Sequence, residues 1–118
     1  QEAEDRAWEE LSGSPFFSRV TRHDLSAFEQ AELQAELICY LPVAQAWLVR
    51  KHLREFPRRR AYLLFVELPG LDDEERFDLC RRLERQLSLP GPVLALWAGE
   101  SPTLEDIRRH AADPVFVR

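Results

Sequence analysis

Apolar positions along this chain recur with two different periods. In residues 2–11, Ala3, Ala7, Trp8 and Leu11 fall on one helical stripe, while Glu2, Glu4, Asp5, Glu9 and Glu10 lie mostly elsewhere. That spacing predicts an amphipathic helix, and the early acids suit its N-terminal end. Ser12-Gly13-Ser14-Pro15 stops it. Phe16 to Asp24 has no clean period, because Arg19, Arg22 and His23 break up Phe16, Phe17 and Val20. The helical spacing returns from Ser26 to Tyr40 in Leu33, Leu37, Ile38 and Leu41, and Pro42 ends it.

A period of two then takes over. Val43 to Lys51 places Val43, Trp47 and Val49 on one face and Ala44, Ala46 and Leu48 on the other, so both faces of this strand are apolar. Ala61 to Leu68 is rich in aromatic and branched residues and predicts a second strand. The charged segment His52–Arg60 between them is short, which favours an antiparallel hairpin. Pro69-Gly70 makes a turn, and Asp72 with Glu75 has the spacing of a capping box. The helix behind it carries Phe77, Cys80, Leu83 and Leu87 on one face and turns Arg76, Arg81, Arg82 and Arg85 to water. After Pro90-Gly91-Pro92, Val93–Ala98 reads as a third strand, apolar throughout and therefore central or covered. Ser101-Pro102 caps a last helix, Thr103–Ala111, and the tail 114–118 is extended, as an added edge strand would be. A strand-helix-strand step of this length implies a right-handed crossover between parallel neighbours. The expected fold is therefore α+β, a two-layer domain in which helices cover a small mixed sheet made of a hairpin and a β-α-β crossover.

Length and composition agree with this. The 118 residues suit one domain, and 45% apolar with 31% charged residues fits a globular chain rather than a disordered one. Residues 1–36 read as a helical N-terminal extension to the domain. The chain opens on Gln1 and holds no Met, so a longer parent chain with a further N-terminal domain is expected. A net charge of -5 argues against nucleic acid as a partner. No apolar run approaches the roughly 20 residues of a membrane span, and the acidic start has no leader-like stretch. A cytoplasmic protein without membrane contact is expected. Cys39 and Cys80, widely separated among apolar neighbours, read as reduced, packed thiols.

Candidate chemistry is sparse. His23, His52 and His110 stand far apart with no zinc-ligand spacing, and no Gly-flanked nucleophile or phosphate-cradling loop is present. Helix capping accounts for the carboxylates of 72–75. Neither an enzyme, a metal nor a cofactor is expected. One stretch stands out: Arg50, Lys51, Arg54, Arg58, Arg59 and Arg60 against Glu55 give a local charge of +5, leaving about -10 on the rest of the chain. Arg forks match carboxylates and phosphates, so the stretch reads as a contact for an acidic partner or anion. The favoured reading is nevertheless a solvated hairpin loop whose charges guard the sheet edges. Trp47 and Trp97 are expected in the core. Trp8 either covers the sheet or marks a surface for another subunit.

From Leu37 to Arg118 the order of segments resembles the C-terminal domain of the bacterial enhanced serine sensitivity protein (SseB) family. The likeness rests on Pro42-Val43 leading into Ala46-Trp47-Leu48, on Tyr62-Leu63-Leu64-Phe65-Val66-Glu67-Leu68 and on the acidic opening Asp72-Asp73-Glu74-Glu75. It extends to the closing Pro114-Val115-Phe116-Val117-Arg118, although Val115 and Val117 depart from the more typical ending. Residues 1–36 have no counterpart. The resemblance implies a soluble cytoplasmic protein linked to serine tolerance, with no catalytic residues to carry over.

Two functions are therefore expected in turn. The first is a non-enzymatic protein-interaction or regulatory module, self-association included, working through the sheet edge, the tail 114–118 and the arginine loop. The second is a sensor of a small amino-acid-like metabolite, whose carboxylate Arg50 or Arg60 would hold.

Overall fold

Two strands buried on both faces organise the molecule, here a computed structural model that describes residues 2–13, 20–99, 103–111 and 113–118. The Ser14-Pro15 stop, the stretch from Phe16 to Arg19 and the Ser101-Pro102 cap lie outside these residues, as do the side chains of Ala3 and Ala7. β2 (Gln45–Lys51) and β3 (Tyr62–Glu67) form the expected antiparallel hairpin, with Trp47 opposite Phe65. From β3 the chain passes through α3 (Asp73–Gln86) to β4 (Val93–Trp97), which lies parallel to β3. The other edge of β2 is shared. β1 (Val20–Arg22) pairs with residues 49–51, and β5 (Phe116–Val117) pairs with Gln45 and Ala46. Among the described residues the result is a five-stranded mixed sheet.

Alternation along the strands sends side chains to opposite faces, and each face has its own helices. Ala46, Leu48, Tyr62, Leu64 and Val66 pack with Leu33 and Leu37 of α2 (Ala27–Leu37) and with Leu79, Cys80 and Leu83 of α3. Trp47, Val49, Leu63 and Phe65 pack on the reverse face with Leu11 of α1 (Glu2–Gly13) and Ile107 of α4 (Thr103–Ala111). Each face thus makes a two-layer packing of helix on sheet, and the α+β architecture with its hairpin and crossover is the one expected. Each leucine buried completely in these clusters contributes roughly 2 kcal/mol.

Local chemistry sets the ends of the helices. Asp72 and Glu75 form the expected capping box at α3. A second box, at α2, pairs Ser26 with Glu29 and was not expected. The C-terminal tail closes α2 from the other side. With β5 paired, the Arg118 guanidinium donates to the carbonyls of Leu37, Ile38 and Tyr40, and its Nε to that of Val43 at 2.9 Å. The Arg118 side chain thus ties the end of α2 and the turn after it to the segment leading into β2. Gly91 fits so closely against the segment leading into β3 that a Cβ there would lie 1.6 Å from the Arg60 carbonyl oxygen.

β4 is covered, one of the two expected arrangements: it lies at the sheet edge, and its apolar run meets helices on both faces. Three expectations need correction. Trp97, at the end of β4, is 42% exposed and held beneath the Arg76 guanidinium, 3.9 Å from its ring. Phe77 is 60% exposed because α3 meets the sheet along Leu79, Cys80 and Leu83. Cys39 is exposed, whereas Cys80 is buried and burial pushes its thiol up to about 11.

The free edge of β4 is stoppered. Ala95 donates its N–H to Glu84 Oε2 at 2.8 Å, and its carbonyl accepts from Arg81 at 2.9 Å. Arg81 and Glu84 are themselves paired at 2.6 Å, with Glu84 nearly buried. Outward-facing backbone groups that would template another strand are thus taken by side chains of the same molecule.

Candidate functional site

The arginine stretch does not form one patch. Neighbouring residues of a strand point to opposite faces, so Arg50 and Lys51 part company at the end of β2. Arg50, opposite Tyr62, reaches the α2 side. Lys51 lies on the reverse side at 1% exposure, where burial lowers its pKa and the nearby Glu10 carboxylate opposes the shift. Arg54, Arg58 and Arg59 occupy the β2–β3 loop, and Arg60 turns back toward Arg50.

Arg50 and Arg60 meet the segment leading into α2. Asp24 accepts from the Tyr62 hydroxyl at 2.6 Å, from Arg50 at 2.8 Å and from Arg60 at 3.3 Å. Arg60 also donates to both Glu29 oxygens, at 3.2 and 3.0 Å, while Glu29 closes the Ser26 capping box. Burial opposes ionisation of Asp24, but the Tyr62 hydroxyl and the Arg60 and Arg50 guanidiniums outweigh it and hold the carboxyl below its ordinary range. Glu29 is lowered chiefly by its bond from Arg60. The Tyr62 hydroxyl is pushed well above its usual range, first by burial and then by its bond to Asp24, so it stays a donor. Two carboxylates face two guanidiniums, and the cluster is charge-balanced. It fastens α2 to the sheet.

The loop is held differently. The two oxygens of Glu10 on α1 accept the backbone N–H groups of Arg54 and Glu55. Arg6 lies 3.7 Å from Glu55 and 5.7 Å from the Phe56 ring centre, offsetting the loop's single acid. Phe56, Pro57, Arg58 and Arg59 surround a shallow hollow of about 500 Å³, with Arg54 and Arg58 exposed at the surface.

A concavity of about 880 Å³ lies elsewhere, between the C-terminal end of α2 and the length of α3. Pro42, Leu71 and Leu79 give it an apolar lining, and Leu41 stands on its lip 78% exposed. Glu36, Glu75 and Asp78 face Arg82 around it, three carboxylates against one guanidinium. The walls are tied together: the Tyr40 hydroxyl donates to Gln86 at 2.5 Å, and Ser88 N–H bonds both Glu36 oxygens, at 3.1 and 3.2 Å. Cys39 lines the groove and directs its thiol to the Ala35 carbonyl at 3.7 Å.

None of the expected binding residues Arg50, Lys51, Arg54, Arg58, Arg59 and Arg60 lines this groove. Ile38 and Leu41, expected on the apolar stripe of α2, lie beyond its last residue Leu37 and are exposed, Leu41 at the lip of the groove. Among the described residues no three of His, Cys, Asp and Glu gather as metal ligands would, and no helix is long and apolar enough to cross a membrane. No protein-family model, no curated protein and no solved structure matches the chain. The SseB resemblance gains no support from these comparisons.

Proposed function

We propose that this chain is a non-enzymatic protein-interaction module whose working surface is the groove between α2 and α3, taking a basic, amphipathic segment of a partner. The observation that carries the reading is the combination of an open apolar trough with an excess of carboxylates around it. An amphipathic helix laid in such a groove buries its apolar residues while its flanking cations meet the rim. A metabolite sensor built on Arg50 or Arg60 would need a guanidinium ready for a foreign carboxylate, and Asp24 and Glu29 already engage both. The resemblance to the SseB family adds a cytoplasmic, regulatory setting to this reading.

Fluorescence anisotropy tests it with a labelled helical peptide that alternates leucine at i and i+4 with arginine beside them. The basic peptide should bind saturably, and more weakly at raised salt. A peptide with glutamate in place of arginine should bind at least about tenfold more weakly. The variant carrying Leu41→Ser and Asp78→Arg should lose the basic peptide to the same extent. Equal binding of both peptides, or binding that ignores the double substitution, overturns the proposal.

A further inference from the structure

The acidic groove and the basic loop lie at opposite ends of the same hairpin. Leu41 and Pro42 precede β2 and Leu71 follows β3, whereas residues 52–61 join the other ends of these strands. About six residues of strand, roughly 20 Å, separate the two ends, so one molecule cannot seat its own loop in its own groove. A second copy can.

Resting on the reading that the groove is a docking surface, we infer that its occupant is the 54–59 loop of another copy of this chain. The two surfaces complement one another in charge and in shape. Arg54 and Arg58 are exposed on a loop whose Glu55 is offset by Arg6, and they meet the Glu75 and Asp78 side of the groove. Leu41, the most exposed of the large apolar side chains described, stands on the groove lip. Facing it would be the hollow of about 500 Å³ between Phe56, Pro57, Arg58 and Arg59, large enough to take a leucine side chain. The contact joins one surface to a different one, so each copy offers both halves.

A charge exchange tests the inference on the 118-residue chain by sedimentation equilibrium across a concentration series. At about 0.05 M salt the wild type should rise above 13.8 kDa, and at about 0.5 M salt it should return toward it, since exposed charges are then screened. Arg54→Glu with Arg58→Glu should stay monomeric, as should Glu75→Gln with Asp78→Arg, in which Gln preserves the capping box. All four substitutions in one chain should restore association. Circular dichroism melts identify any variant that fails to fold, and the restored quadruple variant is itself proof that the parts do. A wild type that stays at 13.8 kDa throughout, or half-exchanged variants that associate as it does, overturns the inference. If the wild type is monomeric while the basic peptide still binds, only the choice of occupant fails. If the peptide does not bind either, the docking reading falls with it.

Discussion

The two flanks of α2 use the same kinds of side chain to opposite ends. At its N-terminal end Asp24 and Glu29 face Arg50 and Arg60, with Tyr62 donating to Asp24, and every charge meets its opposite within 3.3 Å. At its C-terminal end Glu36, Glu75 and Asp78 outnumber Arg82 around an apolar trough. The first arrangement uses its charges to hold the fold together. The second leaves charge and apolar surface turned outward together, which is the combination that recognises another molecule. Charged residues alone therefore do not mark a working surface; the balance of their partners does.

The comparison breaks most severely at Gly91, beneath the closed cluster. A methyl group there would collide with the Arg60 carbonyl oxygen, so Gly91→Ala should cost about 3 kcal/mol, read as a lowered urea midpoint. Asp24→Asn comes next. It removes the negative charge and one of the two oxygens that accept from Tyr62, Arg50 and Arg60 and should cost about 2 kcal/mol at neutral pH.

That loss is pH-dependent with a definite sign. Asp24 ionises more readily in the folded chain than in the unfolded one, so its stabilisation is complete above the ordinary aspartate range and fades as pH falls through the folded value. The gap between wild type and Asp24→Asn should therefore close on acidification. Glu29 contributes with the same sign. Glu84 has the opposite one: burial raises its carboxyl, ahead of the Ala95 N–H bond that lowers it. Its protonation on acidification favours the folded state. Urea midpoints measured from neutral to acidic pH should show the wild-type and Asp24→Asn curves converging; parallel curves would remove Asp24 from the closed cluster.

At the open flank the expected effects on stability are the smallest. Leu41→Ser and Arg58→Ala alter exposed side chains and should each shift unfolding by no more than about 0.5 kcal/mol. Leu41→Ser should nevertheless weaken peptide capture. A large loss of stability from either would mean that these side chains serve the fold, and the contrast between the two flanks would disappear.

Much of the fold was legible because its elements are long enough to repeat a period. The β2–β3 hairpin, the crossover through α3 and the Asp72–Glu75 box follow from local pattern. β1 does not, because Val20–Arg22 spans three residues and only one is even partly buried. Its existence depends on the unpaired end of β2, a tertiary fact. Phe77 misled because it stands two residues from Leu79, about 200° around the helix, while still three from Cys80. Trp97 misled because a ring can be satisfied at a strand end by a guanidinium laid over it. The arginine stretch was legible as charge but not as geometry. Strand alternation alone separates Arg50 from Lys51, yet only the fold brings Asp24 and Glu29 to the arginines that neutralise them.

The Arg81–Glu84 stopper on Ala95 has a consequence for how copies of this chain can gather. Fibrils of the cross-β kind need a ladder of open main-chain amides and carbonyls, and this rim withholds both groups of its middle residue. Gathering there would first require breaking an internal ion pair, so copies are steered toward side-chain contacts that dilution or salt can undo.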